Sequence, residues 1–547
     1  MKNNLIVCML AVTTLVMGCT STDKKEVNLV EQINQQVSQS ATAYGGGVNL
    51  LEQIADDSSL MKMTIKSPEK DGEGWSILIP TEESRLIYVS NSEGDDSSAG
   101  YYTTAEIMEP TNPTGITAFK TVEAAMAQVR EGYPDWILFK KGDEWDMAKP
   151  IRAVSGQSRE APFVITAYGE SGKRPLMKVQ KVGIVLNRSK SFVAVIGLEL
   201  YAEIRDPNSS NFIGWDNVNK ALCFVSLTNA DDDVDSILLE DNVFNYCTNN
   251  IQINGRRENH NIIIRRNQIL NAYSTGSHSQ GVFIAKASVL LEENLLDHNG
   301  WYGKEVSQGK ATLYNHNVYL TDVKNSFFIN NIISRSSSLG LKFKTKLLNG
   351  YNEEKIHDIW IENNLVIGGE VGFSIGGNKD YGDGFRFKNI TILENVFLNI
   401  GFEQPTNRTL AWSIFADDWN GGTIAKNYMI YNDNPELRNV RAIIVKGQIK
   451  NVDIYSNVFF ELNQGRKPFI TLSNDELKDN MHVFNNLTGL EGYQLDRKDI
   501  STYMEERGEL GELEVFINAA KQQSKSNWNL DYTADKVNDY LKAQFSL

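Results

Sequence analysis

The fold is decided by the stretch Ile237-Leu238-Leu239-Glu240-Asp241-Asn242-Val243-Phe244, whose pattern recurs eight more times before residue 490. Each copy has a few β-forming residues, an Asn, two apolar residues and then a turn. The Asn recurs at positions 242, 267, 294, 331, 364, 395, 427, 457 and 486. A β-rich unit repeated roughly every 30 residues predicts a solenoid, in which each coil buries its apolar side only against its neighbours.

The recurring Asn indicates which kind of solenoid this is. Asn tolerates the left-handed backbone that turns a chain from one sheet to the next. Stacked Asn amides can also hydrogen-bond from coil to coil. We therefore expect an all-β fold, a parallel β-helix.

Composition and charge narrow the function. The chain has 547 residues with only 12 Pro and 22% charged residues, which argues against disorder in the repeat region. The formal net charge of −15 argues against nucleic acid or an anionic lipid surface as a general partner. An acidic protein that binds an anionic substrate needs a site with a positive field of its own.

Residues 1–19 predict an export signal. A basic start at Met1-Lys2 precedes an apolar run over 5–16, and Val16-Met17-Gly18-Cys19 follows. This ending resembles the lipobox of bacterial lipoproteins, which implies a mature chain that begins at lipidated Cys19. The protein would then be anchored in the cell envelope, and we expect the outer membrane. A plain signal peptide or a single spanning helix is the alternative, although the run is short for a span.

Two cysteines remain beyond Cys19, namely Cys223 and Cys247. In an exported protein they can form a disulfide, and two buried free thiols are an equal alternative.

We divide the chain into a signal segment 1–19, a tether and N-terminal extension 20–85, the β-helix 86–499 and a C-terminal helical extension 500–547. The β-helix opens with a strand and a Gly/Asp loop over 86–96, and a helix near 119–125 precedes the next strand. Such a helix would cover the open end of the first coil, which otherwise exposes apolar core and strand edges. Segments 503–523 and 534–545 are interpreted as amphipathic helices on the C-terminal end or the flank.

Residues 86 to about 490 resemble the right-handed parallel β-helix superfamily of pectate-lyase-like polysaccharide-degrading enzymes. The resemblance rests on the repeat and on the cap, where strand, loop, helix and strand lead into Lys141-Gly142-Asp143. It implies right-handed coils and activity on carbohydrate. The motifs of polygalacturonase-type hydrolases, mannuronan epimerases and classical pectate lyases are absent from the sequence. The Lys and Arg motifs of the chondroitinase-B and alginate lyase branch cannot be aligned, so no catalytic residue is carried over.

The site is predicted where the repeat is stretched. The Asn spacings from 294 to 331 and from 331 to 364 are the longest, and solenoid insertions usually lie on the binding face. Segment 278–346 holds eight Lys or Arg against five acids, with three of the six His. A basic stretch in an acidic chain predicts a groove for a polyanion. Loop aromatics such as Trp301 and Tyr314 would either stack on sugar rings or hold the loops against the solenoid.

Coil registration brings candidate residues together. Aligned strands place one outward column at Gln252, Phe283, Tyr319, Lys342 and Ser374, with Ile251, Val282, Val318, Leu341 and Phe373 pointing inward. A second column, four residues past each Asn, contains Tyr246, Asn271, His298, Arg335 and Gly368. We therefore expect Tyr319 beside Lys342 and His298 beside Arg335.

These residue types suit β-elimination of a uronate-containing polysaccharide such as alginate or a bacterial exopolysaccharide. A cation pairs with the carboxylate, a base removes the C5 proton and an acid protonates O4. We assign Arg335 or Lys342 to the carboxylate, His316 or Tyr319 to the base, and Tyr319 or His298 to the acid. The candidate substrate-binding residues are His278, Gln280, Trp301, Tyr314 and Lys344.

Alternatives from other classes remain. Glycoside hydrolysis requires two opposed carboxylates, and Asp297, Asp322, Glu292 and Glu293 form no convincing pair. A non-catalytic adhesin or polysaccharide-binding β-helix would have even coils and scattered charge. The acidic turn at 231–235 is interpreted as solvated, with a Ca²⁺ site as the alternative. No certain cofactor is indicated, and we expect a monomer.

Overall fold

The computed structural model describes residues 64–229, 231–345, 356–376, 384–463, 468–488, 490 and 495–545. These residues wind into a parallel β-helix with three faces, called sheets 1, 2 and 3, of which sheets 1 and 3 are joined by two long strands, so the predicted all-β architecture is confirmed. The signal segment, Cys19 and the tether up to residue 63 lie outside the described residues. The same holds for 346–355, within the stretched spacing from 331 to 364, and for 377–383.

Most coils contribute one strand to each sheet. Sheet 1 precedes the recurring Asn and contains Leu86–Val89, Trp136–Lys140, Phe163–Tyr168, Val193–Ile196, Val234–Glu240, Asn259–Arg265, Ala287–Glu292, Lys324–Ile329, Ile356–Glu362, Phe387–Leu393 and Met481–Phe484. Sheet 2 follows the Asn and contains Glu144–Met147, Leu176–Val179, Glu199–Tyr201, Val243–Asn245, Gln268–Leu270, Leu295–Asp297, Ile332–Ser334, Leu365–Ile367, Val396–Leu398, Tyr428–Ile430 and Val458–Phe460. Sheet 3 contains Ile151–Arg152, Val182–Asn187, Leu222–Thr228, Asn249–Gly255, Gln280–Ala285, His316–Thr321, Leu339–Lys344, Val371–Ile375 and Ile470–Leu472. Two long strands, Leu410–Ala425 and Asn439–Tyr455, run from sheet 3 directly into sheet 1.

Inward apolar side chains hold the coils together. The predicted inward residues of sheet 3, namely Ile251, Val282, Val318, Leu341 and Phe373, are all fully buried in one continuous core. Burial of a side chain of this size contributes about 1.5–3 kcal/mol to stability. The alternation therefore leaves the outward positions of the same strands available for a site.

The nine recurring Asn residues form an unbroken ladder at the turn between sheets 1 and 2. From Asn242 to Asn486, each side-chain amide donates to Oδ1 of the next Asn over 2.9–3.1 Å, which confirms the expected stacking. The left-handed bend lies elsewhere, on the residue before each Asn: Asp241, Arg266, Glu293, Asn330, Asn363, Glu394, Lys426, Ser456 and Asn485. Because the preceding residue adopts the bend, each Asn can donate both its backbone N–H and its side-chain amide to the next Asn of the ladder.

Among the described residues, four α-helices lie outside the coils: α1 (Val122–Met126), α2 (Ile500–Glu505), α3 (Leu513–Ala520) and α4 (Ala534–Ala543). Short 3₁₀ helices lie at Glu203–Arg205, Trp215–Asn217, Val306–Gln308, Asp475–Asn480 and Leu530–Tyr532. Helix α1 begins after Thr121, whose side chain accepts a hydrogen bond from the backbone N–H of Ala124. Its Val122 and Ala125 pack on the first coil beside Phe119, as expected for a cap.

Helices α2, α3 and α4 cover the flank of the rod, on the outer face of sheet 2. Tyr503, Phe516 and Leu541 from these helices form an apolar cluster with Leu365 of that sheet. The single helix expected over 503–523 is split between α2 and α3, and Gly508 adopts a left-handed φ of 77° in the break. No helix in the described ranges is long and apolar enough to cross a membrane.

Cys223 and Cys247 are joined by a disulfide. It ties the sheet 3 strand Leu222–Thr228 to the turn after Val243–Asn245, the next strand of sheet 2 along the chain. The structure therefore contains the disulfide and not two buried free thiols.

Candidate active site

A cleft with a volume of about 620 Å³ lies on the outer face of sheet 3. Its described lining residues are Asn249, Gln252, His278, Gln280, Phe283, Leu313, Tyr314, His316, Tyr319, Leu339, Lys342, Lys344, Val371, Ser374, Arg408, Trp412 and Phe415. The predicted site residues that the structure brings together here are His278, Gln280, Tyr314, His316, Tyr319, Lys342 and Lys344.

Strand register arranges much of the lining in two rows that cross the coils. The first row is Asn249, Gln280, His316, Leu339, Val371 and Trp412. The second row is Gln252, Phe283, Tyr319, Lys342, Ser374 and Phe415. Tyr319 is paired directly with Lys342, as expected, and neighbouring strands lie about 4.8 Å apart.

His316 is an enclosed imidazole in the floor of the cleft. It is 4% exposed, and its ring centre lies 5.4 Å from that of Tyr319. Its backbone N–H donates to Oε1 of Gln280 at 2.8 Å. Burial, and then the positive charges of Lys342 and Arg408, lower the pKa of His316 well below its usual value. The imidazole is therefore neutral at pH 7, and its Nδ1 has no hydrogen-bond partner among the described residues.

Lys342 is a half-buried cation beside His316. Its Nζ donates to Oγ of Ser374 at 3.1 Å and to the carbonyl oxygen of Gly376. Burial, and then the charge of Lys344, lower the pKa of Lys342 to about 8. The ammonium is thus mostly charged at pH 7. Because it has three N–H donors, it can bind an anion while it keeps both contacts.

Arg408 is a candidate that the sequence interpretation missed. Its Nε donates to Oε2 of Glu370 at 2.7 Å, and its Nη2 donates to Oγ of Ser338 at 2.7 Å. Glu370 is fully buried and also accepts the backbone N–H of Thr406 at 2.6 Å. The carboxylate therefore fixes the guanidinium at the cleft wall. Arg408 lies in a connection outside the repeating pattern, so periodicity offered no signal for it.

His278, Gln280 and Tyr314 form part of the cleft wall on the N-terminal side of His316. The rings of His278 and Tyr314 meet edge to face with centres 5.3 Å apart, and Tyr314 is 58% exposed. Nε2 of Gln280 donates to the carbonyl oxygen of Tyr314 at 2.8 Å, which ties the loop to the sheet. An exposed ring held in this way can stack on a sugar.

Arg335, His298 and Trp301 do not lie in this cleft, which corrects the sequence-based assignment. Arg335 pairs with buried Asp297 at 2.5 Å and with Glu514 of α3 at 2.5 Å, so it faces sheet 2 and the C-terminal helices. The ring centre of His298 lies 4.5 Å from that of Trp301, and burial lowers the pKa of His298 to about 4. Nε1 of Trp301 donates to the carbonyl oxygen of Arg335, so this Trp pins the loop.

The error has a geometric cause. His298 and Arg335 occupy left-handed turn positions, with φ of 55° and 47°, after successive strands of sheet 2. Counting from the Asn aligns such residues correctly but does not show which side of the rod their side chains face.

The acids near the site have other partners. Glu292 pairs with Arg265 at 2.8 Å, and Asp322 accepts the hydroxyl of Thr345 at 2.6 Å. None of the described lining residues of the cleft is Asp or Glu. The described lining therefore does not supply the two carboxylates that glycoside hydrolysis requires.

The acidic turn at 231–235 is separate from the cleft lining. Asp233 lies 3.4 Å from Arg257, and Asp235 lies 3.3 Å from Arg159. Within the described ranges, no group of three or more His, Cys, Asp or Glu residues is arranged to hold a metal ion.

Comparison with known proteins gives remote structural likenesses. No family model matches the chain, and no curated protein matches it. A solved rhamnogalacturonan lyase is 13% identical with a TM-score of 0.40, over 78% of this chain and 95% of that one. An alginate lyase from Paenibacillus sp. str. FPU-7 is 13% identical with a TM-score of 0.34, over 67% of this chain and 96% of that one. A GH136 lacto-N-biosidase from Eubacterium ramulus is 12% identical with a TM-score of 0.29, over 73% of this chain and 67% of that one. Identities and TM-scores this low do not identify the reaction or the substrate of this protein.

Proposed function

We propose that the protein is a polysaccharide lyase that cleaves a uronate-containing polysaccharide by β-elimination in the cleft of sheet 3. The observation that carries the proposal is the set of side chains in the described lining. A neutral imidazole, a tyrosine and three cations lie together there, without a carboxylate. This combination suits an anionic substrate and a proton transfer at carbon.

The cations would neutralise the uronate carboxylate. Lys342, Arg408 and Lys344 all line the cleft, and the positive charges of all three act on His316. Neutralisation lets the C6 carboxylate delocalise the negative charge that develops at C5 in the transition state. Arg408 therefore replaces Arg335 as the arginine assigned to the uronate carboxylate.

His316 and Tyr319 would carry out the two proton transfers. His316 removes the C5 proton, because its imidazole is uncharged and lines the cleft beside Tyr319 and Lys342. The electron pair of the C5–H bond forms the C4–C5 double bond as the C4–O4 bond breaks. The hydroxyl of Tyr319 gives its proton to the departing O4, and the imidazolium and phenolate then return to their starting states through solvent.

A panel of alginate, pectate, glycosaminoglycans and bacterial exopolysaccharides tests the proposal, with and without added Ca²⁺. Elimination produces an unsaturated uronate that absorbs in the ultraviolet, whereas hydrolysis produces reducing ends without that absorbance. His316→Ala and Lys342→Met should each abolish the absorbance change. Lys426→Met is the matched control, because Lys426 is 53% exposed and pairs with Glu394 at 3.6 Å, outside the cleft lining. Near-normal turnover in both cleft variants would remove the assigned roles.

We also propose that the protein is exported and anchored through lipidated Cys19. The Cys223–Cys247 disulfide supports this, because such bonds persist in oxidising compartments. Labelling with a radioactive fatty acid should mark the wild type and not Cys19→Ala, which should also leave the membrane fraction. An unlabelled wild-type protein would contradict the anchor.

A further inference from the structure

The first row of the cleft leads to a further cation, one coil beyond the described lining. Strand register pairs Trp412, which lines the cleft, with Arg441 of the following coil. The neighbours of Arg441 along the strand, Val440 and Ala442, are buried in the core and only 4% and 0% exposed. Because side chains alternate along a strand, Arg441 occupies an outward position at the C-terminal end of the cleft.

Arg441 has no acidic partner among the described residues. Within that part of the chain, its one hydrogen bond runs from Nη1 to the carbonyl oxygen of Val440 at 2.8 Å, and the side chain is partly exposed. Burial lowers the pKa of Arg441 from its usual value, and no acid offsets this effect. Arg335, in contrast, is neutralised by Asp297. A partly buried charge that the fold leaves uncompensated favours an anion from outside the protein.

Two aromatic rings lie between this cation and the other cations of the cleft. Arg408 is held by Glu370, which precedes the sheet 3 strand on the N-terminal side of the rings. The next strand carries Trp412 and Phe415, whose ring centres are 5.9 Å apart with planes inclined by 34°, and both rings are partly exposed. The strand after that carries Arg441. A sugar ring can stack on such rings while a carboxylate at its edge meets a guanidinium.

Distance separates Arg441 from the proposed reaction centre. Two strands of sheet 3 lie between the strand of Lys342 and that of Arg441, so the two residues are three strand steps apart. Three steps are about 14 Å along the rod. This is longer than one sugar ring, so a carboxylate at Arg441 belongs to a different sugar from the one whose carboxylate lies at Lys342.

We propose that Arg441 binds the carboxylate of a second uronate in the same polysaccharide chain, which crosses Trp412 and Phe415 on its way from Lys342. The chain then lies along the axis of the rod, and its uronates recur at short intervals, as in a polyuronate or a polymer with a short uronate repeat. This inference rests on the proposed function for the identity of the cleft, and it adds the charge pattern and the length of substrate that the cleft recognises.

Equilibrium binding of oligosaccharides of two lengths tests this inference independently of catalysis. Titration calorimetry would compare disaccharides with octasaccharides from alginate, polygalacturonate and an N-acetylglucosamine–glucuronate polymer. The measurements would use a Tyr319→Phe background, which keeps the ring but removes the proposed acid, so that the ligands stay intact. A disaccharide at Lys342 is too short to reach Arg441, whereas an octasaccharide reaches both.

For at least one polymer, the octasaccharide should bind about tenfold or more tightly than the disaccharide. Adding Arg441→Met should remove most of this gain and leave the disaccharide affinity unchanged, and Arg441→Lys should keep part of the gain. Lys450→Met is the matched control, because Lys450 is an exposed cation of the same strand that lies opposite Asn420 in its sheet 1 part. It should leave both affinities unchanged.

The outcomes separate the two proposals. Octasaccharides bound no more tightly than disaccharides, or a gain that survives in Arg441→Met, would overturn the second uronate subsite. So would an Arg441→Met protein that loses disaccharide affinity to the same extent, since the effect would then not depend on ligand length. If the gain depends on Arg441 but the wild type forms no unsaturated product from any polymer, the lyase proposal fails and the subsite stands. If none of the oligosaccharides binds, both proposals fail.

Discussion

Replacing Asn364 with Ala in the middle of the Asn ladder should destabilise the rod strongly. Oδ1 of Asn364 accepts the backbone N–H of Asn331 at 2.9 Å, and its Nδ2 donates to the carbonyl oxygen of Phe328 at 2.8 Å. The Asn side chains at 331, 364 and 395 are fully buried, so water cannot replace the lost amide without rearrangement.

The expected magnitude follows from the groups left unpaired. Two buried backbone groups lose their partner, and each unsatisfied group costs about 1–3 kcal/mol. The free energy of unfolding should therefore fall by about 2–6 kcal/mol. Asn486 is the matched control, because it ends the ladder and is only partly buried. Its replacement by Ala should cost about 1 kcal/mol or less.

Denaturant unfolding followed by circular dichroism would measure this difference. Hydrogen exchange would show whether the loss is centred on the coils that contain Asn331 and Asn395, since stability in a solenoid is shared between neighbouring coils. An Asn364→Ala protein with the wild-type unfolding midpoint would show that the ladder does not stabilise the coils. Equal losses for Asn364→Ala and Asn486→Ala would refute its dependence on burial.

Three further predictions concern two residues at the cleft, Lys342 and Glu370, and Arg335, which lies outside the cleft. Affinity for a uronate polymer should fall as the pH rises through about 8, where Lys342 loses its charge, and Lys342→Arg should remove this fall because arginine stays protonated. Glu370→Gln should raise KM about tenfold, roughly 1.4 kcal/mol, with a smaller change in kcat, because a neutral amide holds Arg408 more weakly. Arg335→Ala should lower the free energy of unfolding by about 3 kcal/mol, because it leaves buried Asp297 without its main partner, and should leave elimination unchanged.

Each of these predictions has a contradicting result. A polymer affinity that stays constant from pH 7 to about pH 9, in a range where ordinary lysine remains charged, would contradict a lowered pKa of Lys342. A Glu370→Gln enzyme with unchanged KM would show that Arg408 does not bind substrate. Loss of elimination in a well-folded Arg335→Ala enzyme would return Arg335 to the site.

The repeating part of the fold could be predicted because a solenoid turns sequence spacing into spatial neighbours. Aligning the strands of successive coils was sufficient to pair Tyr319 with Lys342 and to place Phe373 in the core. Counting four residues past each Asn did not place Arg335 correctly, because its partner Glu514 lies 179 residues later in helix α3. The repeat pattern of the sequence does not indicate that helix α3 packs against sheet 2.

Arg408 could not be predicted for a related reason. It lies in an irregular connection before the strand Leu410–Ala425, and its position depends on the buried carboxylate of Glu370. Neither residue occupies a fixed place in the repeat, and the two are 38 positions apart. Trp412 was missed as well, although its place in the row could have been found by extending the strand alignment by one coil.

The most direct test of a β-eliminating cleft is mass spectrometry of the products formed in water labelled with heavy oxygen. β-Elimination should give fragments that carry an unsaturated uronate end and no heavy oxygen from the solvent, formed by the wild type and not by His316→Ala or Lys342→Met. Saturated fragments that each contain one solvent oxygen at the new end would show hydrolysis and would contradict it.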